Sequence, residues 1–142
     1  MTNPASDECR LSLVESWDRE YAIVETMSFS SRIGFGRTEQ TLIATAVSEL
    51  ATNILRYAGR GEIFLRIVKK TGCSGIEIRA TDAGPGIEDI DRAMRDGFST
   101  MKDSLGLGLS AVRRIMDEFE IDSAPGKGTR ILARKWRNDA TR

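Results

Sequence analysis

Ile43, Val47, Leu50 and Ile54 recur at helical intervals in a pattern that runs from about Thr38, its expected N-cap, to Tyr57. A stripe of this kind commits the stretch to an amphipathic helix lying with one face on a core, which the other elements must supply. Glu49 and Asn53 stand four residues apart and so neighbour each other on the helix surface, about a quarter turn off the stripe at roughly 100° per residue. They belong to the flank of the buried face. A carboxylate and an amide side by side at the edge of a core suit phosphoryl transfer. The amide oxygen fits a hard cation such as Mg2+, and the carboxylate can orient an attacking hydroxyl or accept its proton. Glu-x-x-x-Asn is also a common spacing on exposed helices, so the pair acquires meaning only from the motifs downstream of it in the chain.

Upstream, Cys9, Leu11 and Leu13 alternate with Arg10 and Ser12 in a strand pattern over 9–14. Trp17, Tyr21, Val24 and Met27 then mark a helix running toward Arg32, which Gly34-Phe35-Gly36 interrupts. Downstream, Ile63, Leu65 and Ile67, then Ile76, Ile78 and Ala80, mark two strands around a loop at 71–75. This pattern predicts an antiparallel hairpin ending at Asp82. A short helix near 89–95 precedes a Gly- and Ser-containing segment. Leu109, Val112, Ile115, Met116 and Phe119 mark a third long helix, and strands over 120–123 and 129–136 flank a turn at 124–128. This order predicts an α/β (α+β) two-layer sandwich: a mixed, mostly antiparallel sheet covered on one face by three longer helices.

At 142 residues the chain is the size of one domain, 1–142, with loose tails expected at 1–7 and 137–142. Lys plus Arg equals Asp plus Glu at 21 each, so nothing in the net charge argues for a nucleic-acid or membrane-surface partner. Two distant cysteines and no histidine exclude a Cys/His zinc site and His-based acid/base catalysis. The polar start is unlike a secretory signal, and no apolar run approaches the ~20 residues of a membrane span. A cytoplasmic, reducing setting is the expectation.

The second hairpin strand ends in Asp82-Ala83-Gly84-Pro85-Gly86. An acid at a strand tip can accept from an exocyclic amine of a nucleotide base, while Gly84 and Gly86 leave room for the ring. A plain Gly-Pro turn led by Asp would read the same way. Leu105-Gly106-Leu107-Gly108-Leu109 leads straight into a helix, and freed amides at a helix N-terminus make an anion site suited to a triphosphate. The loop from about Asp96 to Leu109 is long enough to close as a lid, and Lys102 within it could touch phosphate or simply be a solvated loop lysine. Two look-alikes fail on context. No strand leads into the dinucleotide-like Gly106-Leu107-Gly108, and Gly126-Lys127-Gly128-Thr129 runs into a strand where a P-loop needs a helix.

Glu49-x-x-x-Asn53, Asp82-x-Gly84-x-Gly86, Gly106-x-Gly108 and Gly126-x-Gly128-Thr129, in that order, resemble the N, G1, G2 and G3 boxes of the GHKL ATPase/kinase superfamily. Each box is weak alone, and four in order are strong. Gly34-Phe35-Gly36, Tyr57-Ala58-Gly59 and the stretch 96–100 are most similar to the RsbT-like switch kinases of bacterial stressosomes. The resemblance implies the GHKL (Bergerat) ATP-binding fold and an Mg2+- and ATP-dependent serine/threonine protein kinase. Glu49 would be the general base and Asn53 the Mg2+ ligand. Asp82 would accept from the adenine amine, with Gly84, Gly86 and Thr129 completing the base pocket. Gly106 and Gly108 would form the phosphate-facing end of the lid. Relatives often carry another glycine before the Gly106 pair, where this chain has Met101-Lys102-Asp103-Ser104. The implied partners are STAS-domain substrates and a PP2C-type phosphatase activated on release. The alternative is an anti-sigma factor that binds a sigma factor and phosphorylates its STAS-domain antagonist.

Overall fold

Alternating apolar residues build one sheet. A computed structural model describes residues 7–95 and 108–137. Strands β1 (Glu8–Leu13), β2 (Gly61–Lys70), β3 (Cys73–Asp82), β4 (Glu118–Ser123) and β5 (Thr129–Trp136) lie in the order β1-β2-β3-β5-β4. The mostly antiparallel sheet expected is antiparallel at every described pairing, because β5 enters between β3 and β4 and runs opposite to both. On one face Leu11, Leu13, Ile63, Leu65, Ile76, Ile78, Ala80, Ile131 and Ala133 are buried. Helices α1 (Asp18–Ile33), α2 (Arg37–Asn53) and α4 (Gly108–Ile115) cover that face, with the short α3 (Ile90–Ala93) between β3 and α4. No helix of the described residues is long and apolar enough to cross a membrane.

The α2 stripe lands where its spacing put it: Ile43, Val47, Leu50 and Ile54 are all buried, and Glu49 and Asn53 are half-buried on its flank. Its N-cap position is Gly36 rather than Thr38, with the Gln40 N–H donating to the Gly36 carbonyl at 2.9 Å. Helix α1 forms as expected but faces the other way. Trp17, Tyr21 and Val24 are 66, 59 and 62 % exposed, whereas Ala22, Thr26, Phe29, Ser30 and Ile33 are buried. Thr26 and Ser30 tolerate burial because their hydroxyls donate to the carbonyls one turn back, Ala22 at 2.7 Å and Thr26 at 2.8 Å. Arg19 ties α1 to α2, its Nε 2.8 Å from Thr52 Oγ1 and its terminal nitrogen 2.6 Å from Ser48 Oγ.

Other boundaries also differ from the sequence reading. The hairpin turn tightens to Thr71-Gly72, with Gly72 at φ +76°, so Cys73 to Gly75 belong to β3. Helix α4 ends at Ile115, and Phe119 lies in β4. Asp7 and Arg137, expected in loose tails, are each held by a backbone hydrogen bond, the first to Ile67 and the second to Ser74.

The open face of the sheet is polar, and register aligns its charges. Glu8, Arg66, Glu77, Arg134 and Glu118 stand opposite one another across all five strands. The Glu77 side chain is only 1 % exposed, with Arg66 at 3.0 Å, Arg79 at 3.1 Å and Arg134 at 2.8 Å. Burial pushes its carboxyl up. Hydrogen bonds from Arg66 and Arg134, with the charges of Arg66 and Arg79, outweigh this and hold it below the ordinary glutamate range. A depressed folded-state pKa means that Glu77 stabilises the fold above the unfolded glutamate pKa and loses this as pH falls through its own lower value. Glu77→Gln should therefore lower the unfolding free energy at neutral pH by about 2 kcal/mol. In urea melts, the difference from wild type should shrink as pH drops through the acid range; a pH-independent difference would refute this role.

Candidate active site

Past Asn53 helix α2 widens instead of ending. Ile54–Ala58 is a π-turn, closed by the Gly59 N–H donating to the Ile54 carbonyl at 2.9 Å. Such bulges re-phase the side chains beyond them and cluster at functional sites. Here Arg56 and Tyr57 reach the same cavity as Glu49 and Asn53, a space of about 480 Å³ between α2 and the Asp82 end of the sheet.

The floor is apolar, made by Ala80 of β3 and Ile131 of β5. One register step further, Asp82 and Thr129 stand opposite each other and add polar groups at the rim. The Asp82 carboxylate accepts the Gly84 N–H through Oδ1 at 2.9 Å, and among the described residues Oδ2 has no partner. From the other side comes Gly108, the first residue of α4. A Cβ there would stand 3.6 Å from Glu49 Oε1 and 3.6 Å from both terminal atoms of the Asn53 amide. The two helix side chains thus converge on a bare Cα at a helix N-terminus. The first turn of α4 leaves backbone N–H groups unsatisfied by its own helix beside the cavity.

Of the residues singled out in the sequence, Glu49, Asn53, Asp82, Gly86, Gly108 and Thr129 line this one cavity. Gly84 does not. Its missing side chain makes room for protein, since a Cβ would lie 2.6 Å from Ala58 Cβ on the π-turn. Lys102, Gly106 and most of the proposed lid lie outside the described residues. The sequence reading missed Arg56 and Tyr57 on the π-turn and Asp89 and Arg92 at α3, which also line the cavity. Arg56 follows Glu49 by seven residues and Asn53 by three, a spacing that marked the shared helix face.

No group of three or more His, Cys, Asp or Glu suited to a metal occurs among the described residues. A magnesium ion here would take few protein ligands, and the Asn53 amide oxygen beside the first residue of α4 fits a cation held mainly by phosphate oxygens and water.

The model of the histidine kinase-, DNA gyrase B- and HSP90-like ATPase family matches residues 38–138, a span that holds both acids, the amide and Thr129. The chain belongs to this ATPase family. One relative, the serine/threonine-protein kinase RsbT of Bacillus subtilis (strain 168), is 44 % identical over 131 residues, covering 92 % of this chain and 98 % of that protein. An anti-sigma F factor of Thermoanaerobacter sp. (strain X514) is 34 % identical over 128 residues, covering 87 % of this chain and 89 % of that protein. Among solved structures, full-length ShkA in complex with AMPPNP matches 82 % of this chain with a TM-score of 0.54 at 16 % identity, a likeness of fold. The match spans 29 % of that longer chain.

In this member of the ATPase family the contact of Gly84 with Ala58 joins the helix side of the site to the strand side. Gly84→Ala should cost about 2 kcal/mol by overpacking, read as a lower melting temperature. Adding Ala58→Gly should restore part of the loss by removing the methyl that the new one meets. Equal melting temperatures for wild type and Gly84→Ala would show that the contact carries no strain.

Proposed function

We propose that the chain is a serine/threonine protein kinase that uses magnesium-ATP to phosphorylate Ser or Thr of STAS-domain regulatory proteins. The setting is a cytoplasmic switch of the stressosome type, with a PP2C-type phosphatase activated when the kinase is released. The observation that carries the reading is the convergence of Glu49, Asn53 and Asp82 on one cavity, with Gly108 at its mouth. The 44 % identity to RsbT over nearly its whole length supports the choice of substrate class.

In this reading the adenine lies on Ala80 and Ile131, its amine toward Asp82, and the phosphates extend toward the start of α4. The acceptor hydroxyl attacks the γ-phosphorus as the bond to the β–γ bridging oxygen breaks, and its proton passes to the Glu49 carboxylate. Asn53 would hold Mg2+, which when bound would supply charge neutralisation on the phosphate oxygens. Glu49 and Asn53 are preset by α2, which Arg19 fixes against α1 through Ser48 and Thr52. That preorganisation keeps the base on the acceptor side of the phosphates.

The likeness to anti-sigma F factors supports a second reading, in which a sigma factor is bound and the STAS partner is its antagonist. Glu49→Gln should bind magnesium-ATP within about twofold of wild type and transfer phosphate to a STAS protein on the order of a hundredfold more slowly. Transfer at the wild-type rate would remove Glu49 as base. In pull-downs the protein should retain STAS proteins, and tight capture of purified sigma factor would favour the second reading.

A further inference from the structure

Ser123, the last residue of β4, lies outside every motif in the sequence, yet its hydroxyl ties together Ile87 and Thr129, which line the cavity, and the Gly128 carbonyl. The Ile87 N–H donates to Ser123 Oγ at 2.8 Å, Ser123 Oγ donates to the Gly128 carbonyl at 2.9 Å, and Thr129 Oγ1 lies 2.8 Å away. Counting protons decides the direction of the last contact. With all three hydrogen bonds made at once, a backbone N–H only donates and a carbonyl only accepts, so the single Ser123 proton goes to Gly128 and one lone pair takes the Ile87 proton. The remaining lone pair can only receive the Thr129 proton. Thr129 is therefore left with lone pairs alone to offer the cavity.

Register places this hydroxyl beside the key acid. Asp82, Thr129 and Ser123 stand opposite one another on β3, β5 and β4, so their side chains share the helix-covered face. The Asp82 carboxylate also only accepts. We infer that Ser123 is a positioning residue for base recognition. By taking the Thr129 proton it turns Thr129 and Asp82 into a two-acceptor rim that selects a base carrying an exocyclic amine. Adenine supplies amine protons there. Hypoxanthine presents a carbonyl in place of the amine and so sets acceptor against acceptor. This inference rests on the nucleotide reading above.

The test measures dissociation constants of ATP and inosine triphosphate by calorimetry for the full chain and its variants. Wild type should prefer ATP. Ser123→Ala frees the Thr129 proton to rotate toward the base and should narrow that preference about tenfold, the worth of one misdirected hydrogen bond, while Ser123→Thr keeps it. In a Thr129→Val background, adding Ser123→Ala should leave the ratio unchanged. Should Ser123→Ala fail to fold, Ser123→Cys reads the same ratio through a weaker hydrogen-bonding group. Equal weakening of both nucleotides in the substituted protein would overturn the inference and leave Ser123 as a support for the Ile87 loop. Failure of the wild type to bind either triphosphate would instead overturn the nucleotide reading itself.

Discussion

The site depends on how closely backbone can approach backbone at the end of β3. Gly84 lies against Ala58 of the π-turn, and Cβ atoms added at Gly86 and Gly128 would run into the Ala124 and Asp82 carbonyl oxygens. Three segments distant in sequence thereby meet without intervening side chains: the end of α2, the loop after Asp82 and the β4–β5 turn. Gly86 and Gly128 also carry positive φ, at +79° and +74°, which other residues adopt only with strain. The cavity is the space left once these backbones are seated, and the functional side chains come from the elements around it.

The two faces of the sheet divide the labour. The helix-covered face carries the apolar core and, at its rim, the row Asp82–Thr129–Ser123. The open face satisfies itself through charge, with Glu77 enclosed by three arginines. A buried carboxylate left unpaired would be costly, so the register that aligns Glu77 with Arg66 and Arg134 penalises any slip between the central strands. The same register holds Thr129 opposite Asp82, which links the polar network on one face to the geometry of the cavity on the other.

Much of this was legible in the sequence because it follows from period and spacing. The stripe Ile43–Val47–Leu50–Ile54 fixed which side of α2 is buried and therefore where Glu49 and Asn53 point. The hairpin pattern placed Asp82 at a strand end. The exposed side of α1 was misleading because Trp17, Tyr21 and Val24 carry the hydrophobicity while the buried positions include Thr26 and Ser30, whose polarity is cancelled within the helix. The π-turn left no mark on apolar periodicity, so Arg56 and Tyr57 went unnoticed. Gly84 was legible as a glycine that something needed, but what fills its space is a helix methyl. Ser123 could not be read at all, since its role arises from pairing across strands.

The central claim is that a helix acid, a helix amide and a strand acid address one magnesium-nucleotide. Calorimetric titration of magnesium-ATP into Asp82→Asn and Asn53→Ala tests it most directly. The account predicts one site per chain in the wild type and, in each variant, binding at least about tenfold weaker, the effect of losing one well-placed polar contact. Wild-type affinity in both variants would mean that these residues do not meet on a common ligand, and the kinase reading would fall with them.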